Sequence, residues 1–468
     1  MTMSLRPSDL ARCFQGVTPS LIVTVDGRGM PNITYVSQVY YVDEQHVALS
    51  CQFFNKTRRN LDENPRAAVE MYDPLTMQAY RLRLTFIRSE KKGPLFDTMS
   101  ARIEAIASAT GMKGIFRLIA ADVFDVRSVE KVEGFLNDEQ PVVEADAPTL
   151  TGYRSEVRGL QWVSERIARA CDLESLLEAA LQSLEEYFQF SHTSVLLYDE
   201  SSARLTTLAS RGYGKRGIGA EVPIGQGLIG SAARDRQVLR FSSLDADLAY
   251  GRAIRREAAG DQTCEDIPLP GLPDARSVLV IPLLLSDRLV GVLSAESRDP
   301  MRFGEWHEAY LQIIGNQIAF AIDRMVERAS AEHEPPSPAG TRPVVSPASR
   351  AKTNEAPVAP GARTRTLTYY RKDDAIFVDG EYLIRNIPAR ILWKLLAESK
   401  RTGRNEFTNR EVRLDESLGL PPVKDNFESR LILLRHRLQE KCPDLQIVST
   451  GRGRFALQTD ASIEMIER

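Results

Sequence analysis

A long segment near the C-terminus has almost no residues that could enter a hydrophobic core. From Ala329 to Thr366 there is no Leu, Ile, Phe, Tyr or Trp, and seven of the 25 prolines lie between residues 335 and 362. Such a segment cannot bury enough apolar surface to offset the entropy lost on ordering. We therefore predict a disordered tether over 329–365, with an embedded interaction motif as the alternative.

A weaker boundary precedes it. The stretch Asn137–Gly152 is acidic and contains two prolines, so the 468 residues divide into domains at 1–136, 153–328 and 366–468. Apolar residues make up 43% of the chain and charged residues 26%, which is typical of globular proteins. The formal net charge of −3 excludes a uniformly basic nucleic-acid-binding surface, although one domain can still be basic.

Cysteine usage and hydropathy predict a soluble cytoplasmic protein. The N-terminus lacks the apolar core of a signal peptide, and the most apolar run, Ser277–Ala295, is interrupted by Pro282 and a polar turn, so it reads as two strands rather than a membrane span. No CxxC spacing occurs, which excludes a zinc ribbon and a disulfide framework; we predict no metal site. We interpret the cysteines as small buried hydrophobic residues, and the alternative is that one of them is a redox-sensing thiol. The five cysteines are Cys13, Cys51, Cys171, Cys264 and Cys442.

The first domain consists of short apolar runs separated by turn signals. Leu21–Val25 leads through Asp26-Gly27 into Asn32–Val36, and further runs follow to Phe86. Antiparallel strands at this spacing predict a small barrel. The segment NKTRRNL, residues 55–61, opens a short helix after one strand, and its cations and N–H groups could hold a phosphate. A solvated basic turn is the alternative. No paired acid and base stand out, so we predict no catalytic residues.

The stretch VDGRGMPNITYVSQVYYVDEQHVALSCQFFNKTRRNLDENPRAAVEMYD resembles the pyridoxamine 5′-phosphate oxidase-like split barrel. The resemblance implies FMN as a cofactor, although related barrels bind haem or deazaflavin-type cofactors; the one histidine here, His46, makes haem the poorer choice. By position, the phosphate end would be held by Lys56, Thr57, Arg59 and Asn60. The ring system would face Asn32, Thr34, Ser50 and Gln52.

The central domain alternates helical and strand patterns. Apolar residues recur at helical spacing over 157–187, strands follow, and a closing helix covers 304–328. Gly225, Gly227 and Gly230 permit a tight strand-to-helix entry, and Gly291 allows close packing within a strand.

The motifs IGQGLIG, SVLVIPLLL and DRLVGVLSAES resemble the GAF domain. That resemblance implies an α/β sensor domain for a small molecule of unknown identity, with residues 245–274 as a lid, and dimerisation through helices at 157–187 and 308–328. The cyclic-nucleotide signature of the family is absent, as is a bilin-type Cys-His pair. A purely structural GAF domain is the alternative.

The C-terminal domain concentrates positive charge. Residues 361–460 contain 19 Lys+Arg and 14 Asp+Glu, a net of +5, which favours a nucleic-acid contact. In a helix over about 425–441, Phe427, Leu431, Leu434 and Leu438 form a buried stripe, and Arg430 and Arg437 share the other side. An amphipathic helix with a solvated charged face is the alternative.

RLILLRHRLQE and IVSTGRGRFAL resemble the recognition helix and wing of the winged helix-turn-helix domain of response regulators. The resemblance implies DNA as the partner. The candidate DNA contacts are Ser429, Arg430, Arg435, Arg437, Arg452 and Arg454. Ile432 and Leu433 replace residues that are often basic in that family, so a protein-binding role for this domain is the alternative.

Together these features predict a multi-domain α+β protein: an antiparallel split β-barrel, a GAF domain and a winged helix. The first hypothesis is a one-component transcriptional regulator that binds DNA as a homodimer and senses a flavin or another small molecule. The second is a flavin-dependent oxidoreductase with accessory sensor domains, and the third is a sensor-adaptor whose last domain binds protein.

Overall fold

The structure is a computed structural model that places most of the chain. It describes residues 5–51, 56–115, 117–132, 150–170, 172–200, 202–213, 218–259, 271–331, 364–372, 374–418, 427–451 and 453–468. The predicted tether (apart from its ends), the 137–149 boundary, Gln52 and Arg452 lie outside these ranges. The chain forms two compact units, one of Met1–Ala170 with Ser175–Phe320 and one of Cys171–Glu174 with Ala321–Arg468. No described helix has the length and apolarity needed to cross a bilayer.

The N-terminal sheet is antiparallel and seven-stranded. Its strands, in chain order, are β1 (Ser20–Val25), β2 (Pro31–Val36), β3 (Val39–Tyr41), β4 (His46–Cys51), β5 (Arg66–Tyr72), β6 (Ala79–Glu90) and β7 (Ala120–Lys131). They neighbour one another in the order β2-β1-β5-β6-β7-β4-β3. The predicted hairpin at Asp26-Gly27 is confirmed: Ser20 to Val25 pair with Val36 to Pro31, and Gly29 supplies the positive φ of the turn, +85°.

Two helices interrupt this sheet. Helix α1 (Lys56–Glu63) lies between β4 and β5, where the sequence predicts it. Helix α2 (Pro94–Ala109) connects β6 to β7 and was not predicted. Pro94 begins α2 and Asp97 lies in its first turn, which are favourable start signals. Half of its buried residues are alanines, and the others are Met99, Ile103, Ile106 and Ser108, so its apolar face is small and gives a weak signal in the sequence.

The central sheet is also antiparallel, with six strands flanked by helices. In chain order the elements are α3 (Leu150–Arg169), α4 (Leu173–Phe188), β8 (His192–Asp199), β9 (Arg204–Arg211), β10 (Glu221–Pro223), α5 (Gly227–Asp235), β11 (Leu239–Phe241), α6 (Leu244–Ala259), β12 (Ser277–Leu285), β13 (Arg288–Ser297) and α7 (Glu305–Ala331). The strand order is β10-β9-β8-β13-β12-β11. The helical pattern over 157–187 thus forms two helices. Part of the predicted lid is α6, and residues 260–270 lie outside the described residues.

The two sheets share a hydrophobic cluster built around α2. From the first domain it contains Met99, Ile103 and Ile106, and from the central domain it includes Ile229 on α5 and Val280 on β12. Helix α2 packs on both α5 and α6. A Cβ on Gly251 of α6 would lie 3.0 Å from Ile106 Cγ2, so the α2 and α6 backbones approach closely. The first unit therefore has a core to which both domains contribute.

The C-terminal unit contains two small sheets and three helices among its described residues. Its elements are β14 (Thr364–Tyr370), β15 (Ala375–Val378), β16 (Glu381–Arg385), α8 (Asn386–Thr402), β17 (Glu406–Thr408), α9 (Asn409–Arg413), α10 (Phe427–Lys441), β18 (Leu445–Gly451), β19 (Arg454–Thr459) and β20 (Ser462–Glu467). The sheet orders are β16-β15-β14-β20 and β17-β19-β18. Strand β20 pairs in parallel with β14 and was not predicted. The apolar stripe of α10 is buried as expected.

Candidate functional site

The start of α1 brings together part of the predicted phosphate cradle. Asn32 Nδ2 on β2 donates to Thr57 Oγ1 over 2.9 Å. Lys56 and Arg59 are exposed, and no ion pair involves either of them among the described residues. Lys56 lies near enough to Asp26 to help lower the pKa of that carboxyl, chiefly depressed by a hydrogen bond from the Met30 N–H. Two cations and a hydroxyl are thus available to an anion.

The other predicted cradle residues are placed differently. Asn60 is buried at 2% exposure, and its Nδ2 donates to Thr24 Oγ1 over 3.1 Å, so its amide is used in packing α1 onto β1. Thr34 and Ser50 are half-buried on β2 and β4. His46 pairs with Asp43 over 2.8 Å, which leaves its Nδ1 engaged.

Arg58, between the two exposed cations, is fully engaged. Its Nη1 lies 2.9 Å from Asp122 Oδ1 on β7, its Nη2 lies 2.9 Å from Asp62, and its guanidinium stacks 4.7 Å from the Phe86 ring centroid. Asp122 is 8% exposed at its side chain; burial raises its pKa, while Ser89 and Arg58 counteract the effect. Arg58 therefore anchors α1 to the sheet and is unavailable to a ligand.

The described cysteines are poor thiolate candidates. Burial raises the pKa of Cys13 to about 12 and that of Cys51 to about 11, and it raises the pKa of Cys442 as well. A thiol must ionise to react with oxidants. Cys13 and Cys442 are buried and therefore fit the interpretation as small buried hydrophobes, whereas Cys51 is only partly buried; Cys171 and Cys264 lie outside the described residues.

The glycine-rich turn of the central domain is built as the sequence predicts. Gly225 and Gly227 have φ of +76° and +62°. A Cβ on Gly230 would lie 2.4 Å from Pro223 O, and one on Gly291 would lie 2.2 Å from Leu196 O. The predicted need for glycine is confirmed: a side chain on Gly230 or Gly291 would collide with backbone, and Gly225 and Gly227 adopt a positive φ that other residues rarely adopt.

Residues of the N-terminal domain complete this turn. Gln226 precedes α5 without a side-chain cap, and the Ser108 hydroxyl of α2 instead accepts from Gly227 N over 2.9 Å. The Lys113 Nζ donates to Gly225 O over 3.0 Å. Helix ends require such partners for their free N–H groups. The roles of Ser108 and Lys113 could not be predicted from the sequence, because nothing in their local pattern indicates a partner more than 100 residues away.

A second set of contacts joins α2 to α6. Arg102 Nη2 lies 2.8 Å from Asp247 Oδ2, and Arg102 also donates to the Arg240 carbonyl. Both side chains are about one-tenth exposed, at 11% and 9%. Glu104 pairs with Arg234 at the end of α5 over 2.5 Å. Breaking the buried Arg102–Asp247 pair would leave one of the two charges without a partner.

One face of the central sheet carries polar side chains. On β13, Val292 lies in the shared cluster with α5, and the two-residue period places Ser294 and Glu296 on the same face. Glu296 is 7% exposed, its Oε2 accepts from Leu272 N over 2.6 Å, and burial raises its pKa to about 7. No described cation forms a salt bridge with it.

The basic residues of α10 are held by the domain itself. Arg437 Nε donates to Leu383 O over 3.0 Å and Nη1 lies 2.9 Å from Glu440; Arg435 Nε donates to Ile447 O over 3.1 Å. Ser429 and Arg430 are half-buried and have partners too. Arg454 is exposed at the start of β19. Of the predicted DNA contacts that the structure describes, Arg454 is therefore the most available cation.

Comparison with known families agrees with two of the three domains. Residues 9–130 match the pyridoxamine 5′-phosphate oxidase family model, and residues 170–323 match the GAF domain model. The chain thus carries a pyridoxamine 5′-phosphate oxidase-like split barrel followed by a GAF domain. A search of curated proteins gave no match. Within the described residues, no group of three or more His, Cys, Asp or Glu is arranged to hold a metal ion.

Solved structures resemble single domains of the chain. The GAF domain of a phosphoenolpyruvate-protein phosphotransferase from Acinetobacter is 17% identical, with a TM-score of 0.31, covering 37% of this chain and 97% of its own. Free methionine-R-sulfoxide reductase from Neisseria meningitidis is 21% identical, with a TM-score of 0.29, covering 37% and 91%. An FMN-binding protein from Syntrophomonas wolfei is 19% identical, with a TM-score of 0.23, covering 28% and 90%.

The contrast between Arg58 and Arg59 gives a direct test of the α1 anchor. Arg58→Ala should lower the free energy of unfolding by about 2 kcal/mol, because Asp122 is left buried without its partner. Arg59→Ala, one residue along and exposed, should leave stability unchanged. Urea denaturation followed by circular dichroism measures both variants. Equal stability of the two would show that the Arg58–Asp122 pair does not anchor the helix.

Proposed function

We propose that this protein is a one-component transcriptional regulator in which the split barrel and the GAF domain sense small molecules and the C-terminal unit binds DNA. The observation that carries the proposal is the domain series itself: two modules of sensor type precede a basic unit of strands, helices and a hairpin.

DNA binding is supported by the layout of the C-terminal unit. Helix α10 follows the short helix α9 and leads directly into the β18–β19 hairpin, an order of elements that supports the proposed winged helix-turn-helix. The hairpin carries the exposed Arg454, two residues after Arg452 in sequence, and residues 361–460 have a net charge of +5, from 19 basic and 14 acidic residues. Because Arg435 and Arg437 bond to backbone carbonyls, the hairpin is the principal phosphate contact in this proposal.

A salt series on a 30-base-pair duplex tests this assignment. Arg454→Ala in the full chain should weaken binding and reduce the slope of log K against log salt by about one, since one phosphate contact is lost. Lys400→Ala, which removes an exposed cation at the end of α8, should leave the slope unchanged. Fluorescence anisotropy from 50 to 300 mM salt gives both values. Absence of any DNA binding at 50 mM salt would exclude the regulator and favour the adaptor.

FMN is the cofactor we propose for the split barrel. The donor set at α1 fits a phosphate: Lys56 and Arg59 are exposed cations, and the Thr57 hydroxyl is adjacent. Bound FMN would supply a redox-active or light-absorbing isoalloxazine. The chain's residues would hold its phosphate and orient its ring beside Asn32, Thr34 and Ser50.

The FMN assignment predicts a flavin spectrum between 300 and 550 nm after reconstitution. Arg59→Ala should weaken FMN binding at least tenfold, because a phosphate contact is lost, whereas Arg66→Ala, an exposed cation on β5, should not. Fluorescence quenching measures both dissociation constants. Equal affinities would remove α1 from the site. Steady flavin turnover with a reductant and oxygen, without DNA binding, would instead favour the oxidoreductase.

The regulator is proposed to act as a homodimer through α7. Trp306, Ile313 and Phe320 recur every seven residues on this helix and are 55%, 43% and 69% exposed. A seven-residue apolar repeat on an exposed face is typical of helix pairing. Light scattering of the full chain should give twice 52.3 kDa, and Ile313→Glu with Phe320→Glu should give one chain's mass. An unchanged dimer in that variant would exclude this face.

A further inference from the structure

The polar face of the central sheet contains groups that the folded chain does not satisfy. Ser294 on β13 and Ser231 on α5 are both fully buried, and neither hydroxyl has a hydrogen-bond partner among the residues that the structure describes. Helix α5 packs on β12 and β13, on the face that Val292 shares. Buried polar groups are normally paired, so two buried hydroxyls without a described partner, on a helix and a strand that pack together, indicate a missing group.

Glu296 lies two positions from Ser294 on the same face. One carboxylate oxygen, Oε2, accepts from Leu272 N over 2.6 Å. The other, Oε1, lies against Gly271, where a Cβ would approach it within 2.4 Å, so only glycine leaves it room. No described cation pairs with the carboxylate. An isolated buried carboxylate is costly unless a positive group joins it.

None of the described groups around Glu296 supplies a positive charge to its carboxylate. His192 on β8 is its cross-strand neighbour, and burial lowers the pKa of His192, which keeps the imidazole neutral. Tyr213, after β9, has its pKa raised by burial, by the Glu296 charge and by a hydrogen bond with that carboxylate, so it offers Glu296 a neutral donor and no positive charge. The neighbouring position on β12 is Val278. Arg298 is paired with Asp274 over 2.7 Å.

We propose that Glu296, Ser294 and Ser231 form the ligand site of the GAF domain and that the ligand presents a protonated amine to Glu296. The amine makes a charge-assisted hydrogen bond to Oε1, and the serine hydroxyls bond to polar groups of the same ligand. The inference rests on the proposed sensor function and specifies its ligand class. It is independent of DNA binding.

The site predicts a definite dependence of affinity on pH. An ammonium binds the carboxylate form, so binding must release the proton that Glu296 carries at low pH. With the pKa of Glu296 at about 7, affinity should rise about tenfold from pH 6 to pH 8 and then level off. A ligand that accepts a hydrogen bond from protonated Glu296 would show the opposite trend.

The test is calorimetric titration of the full chain with alkylamines, amino alcohols and amino acids, each paired with its N-acetyl derivative. At least one amine should bind at least tenfold more tightly than its acetylated partner, with the pH dependence above. Glu296→Gln should weaken that amine at least tenfold and abolish its pH dependence. Asp287→Asn, at an exposed carboxylate in the β12–β13 turn, should change neither.

Three outcomes would overturn the inference: no amine in the panel binds, acetylated and free amines bind equally, or affinity falls as pH rises. The wild-type pH series requires no variant, so a folding defect in Glu296→Gln would not affect it. If a non-amine ligand binds instead, the sensor proposal stands and this assignment of its ligand fails.

Discussion

The contact between α2 and the helices α5 and α6 is the constraint on which the first unit depends. Ile103 and Ile106 of the split barrel are buried in the same cluster as Leu228 and Ile229 of the GAF domain. Separating the domains would expose these side chains at a cost of about 25 cal/mol per Å² of apolar surface. It would also break the Arg102–Asp247 ion pair and the hydrogen bond from Gly227 N to Ser108. The two sensor domains are therefore built as one body.

This arrangement places the two candidate ligand sites on neighbouring parts of one core. Arg58 of α1 is tied to Asp122 on β7, and α2 packs on β7. On its other side α2 holds α5, which covers the sheet face bearing Ser294 and Glu296. A ligand that moves α1 would act on β7, which contacts α2, and a ligand that moves α5 would act on α2 directly. Contiguity alone does not measure coupling, which is the factor by which one ligand changes the affinity of the other.

The features that depend on only a few neighbouring residues were predicted correctly from the sequence. Alternating strands, the Asp26-Gly27 turn and the glycines at 225–230 and 291 were correct, because each depends on steric rules over a few residues. Helix α2 was missed because half of its buried residues are alanines, which give little contrast in hydrophobicity. Strand β20 was missed because its partner, β14, is almost 100 residues earlier in the chain.

The positions of the candidate site residues could be predicted from the sequence, but many of their hydrogen-bond and ion-pair partners could not. Lys56, Thr57 and Arg59 lie at the start of α1 as expected, yet Asn60 is used in packing onto Thr24. Sequence alone could not show that the guanidinium groups of Arg435 and Arg437 bond to carbonyls of other elements. Glu296 also could not be identified from the sequence, because only the tertiary structure shows that its carboxylate is buried with no described cation beside it. Tertiary contacts decide which charged groups remain available.

Hydrogen exchange of the full chain tests the shared core most directly. The slowest amides of α2, over Met99–Ala109, and those of α5, over Leu228–Ala233, should open with one free energy and one urea dependence, because neither helix can leave the cluster alone. If α2 instead exchanges together with the split-barrel strands at a urea concentration where α5 stays protected, the domains open separately. That result would contradict the conclusion that the split barrel and the GAF domain form one body.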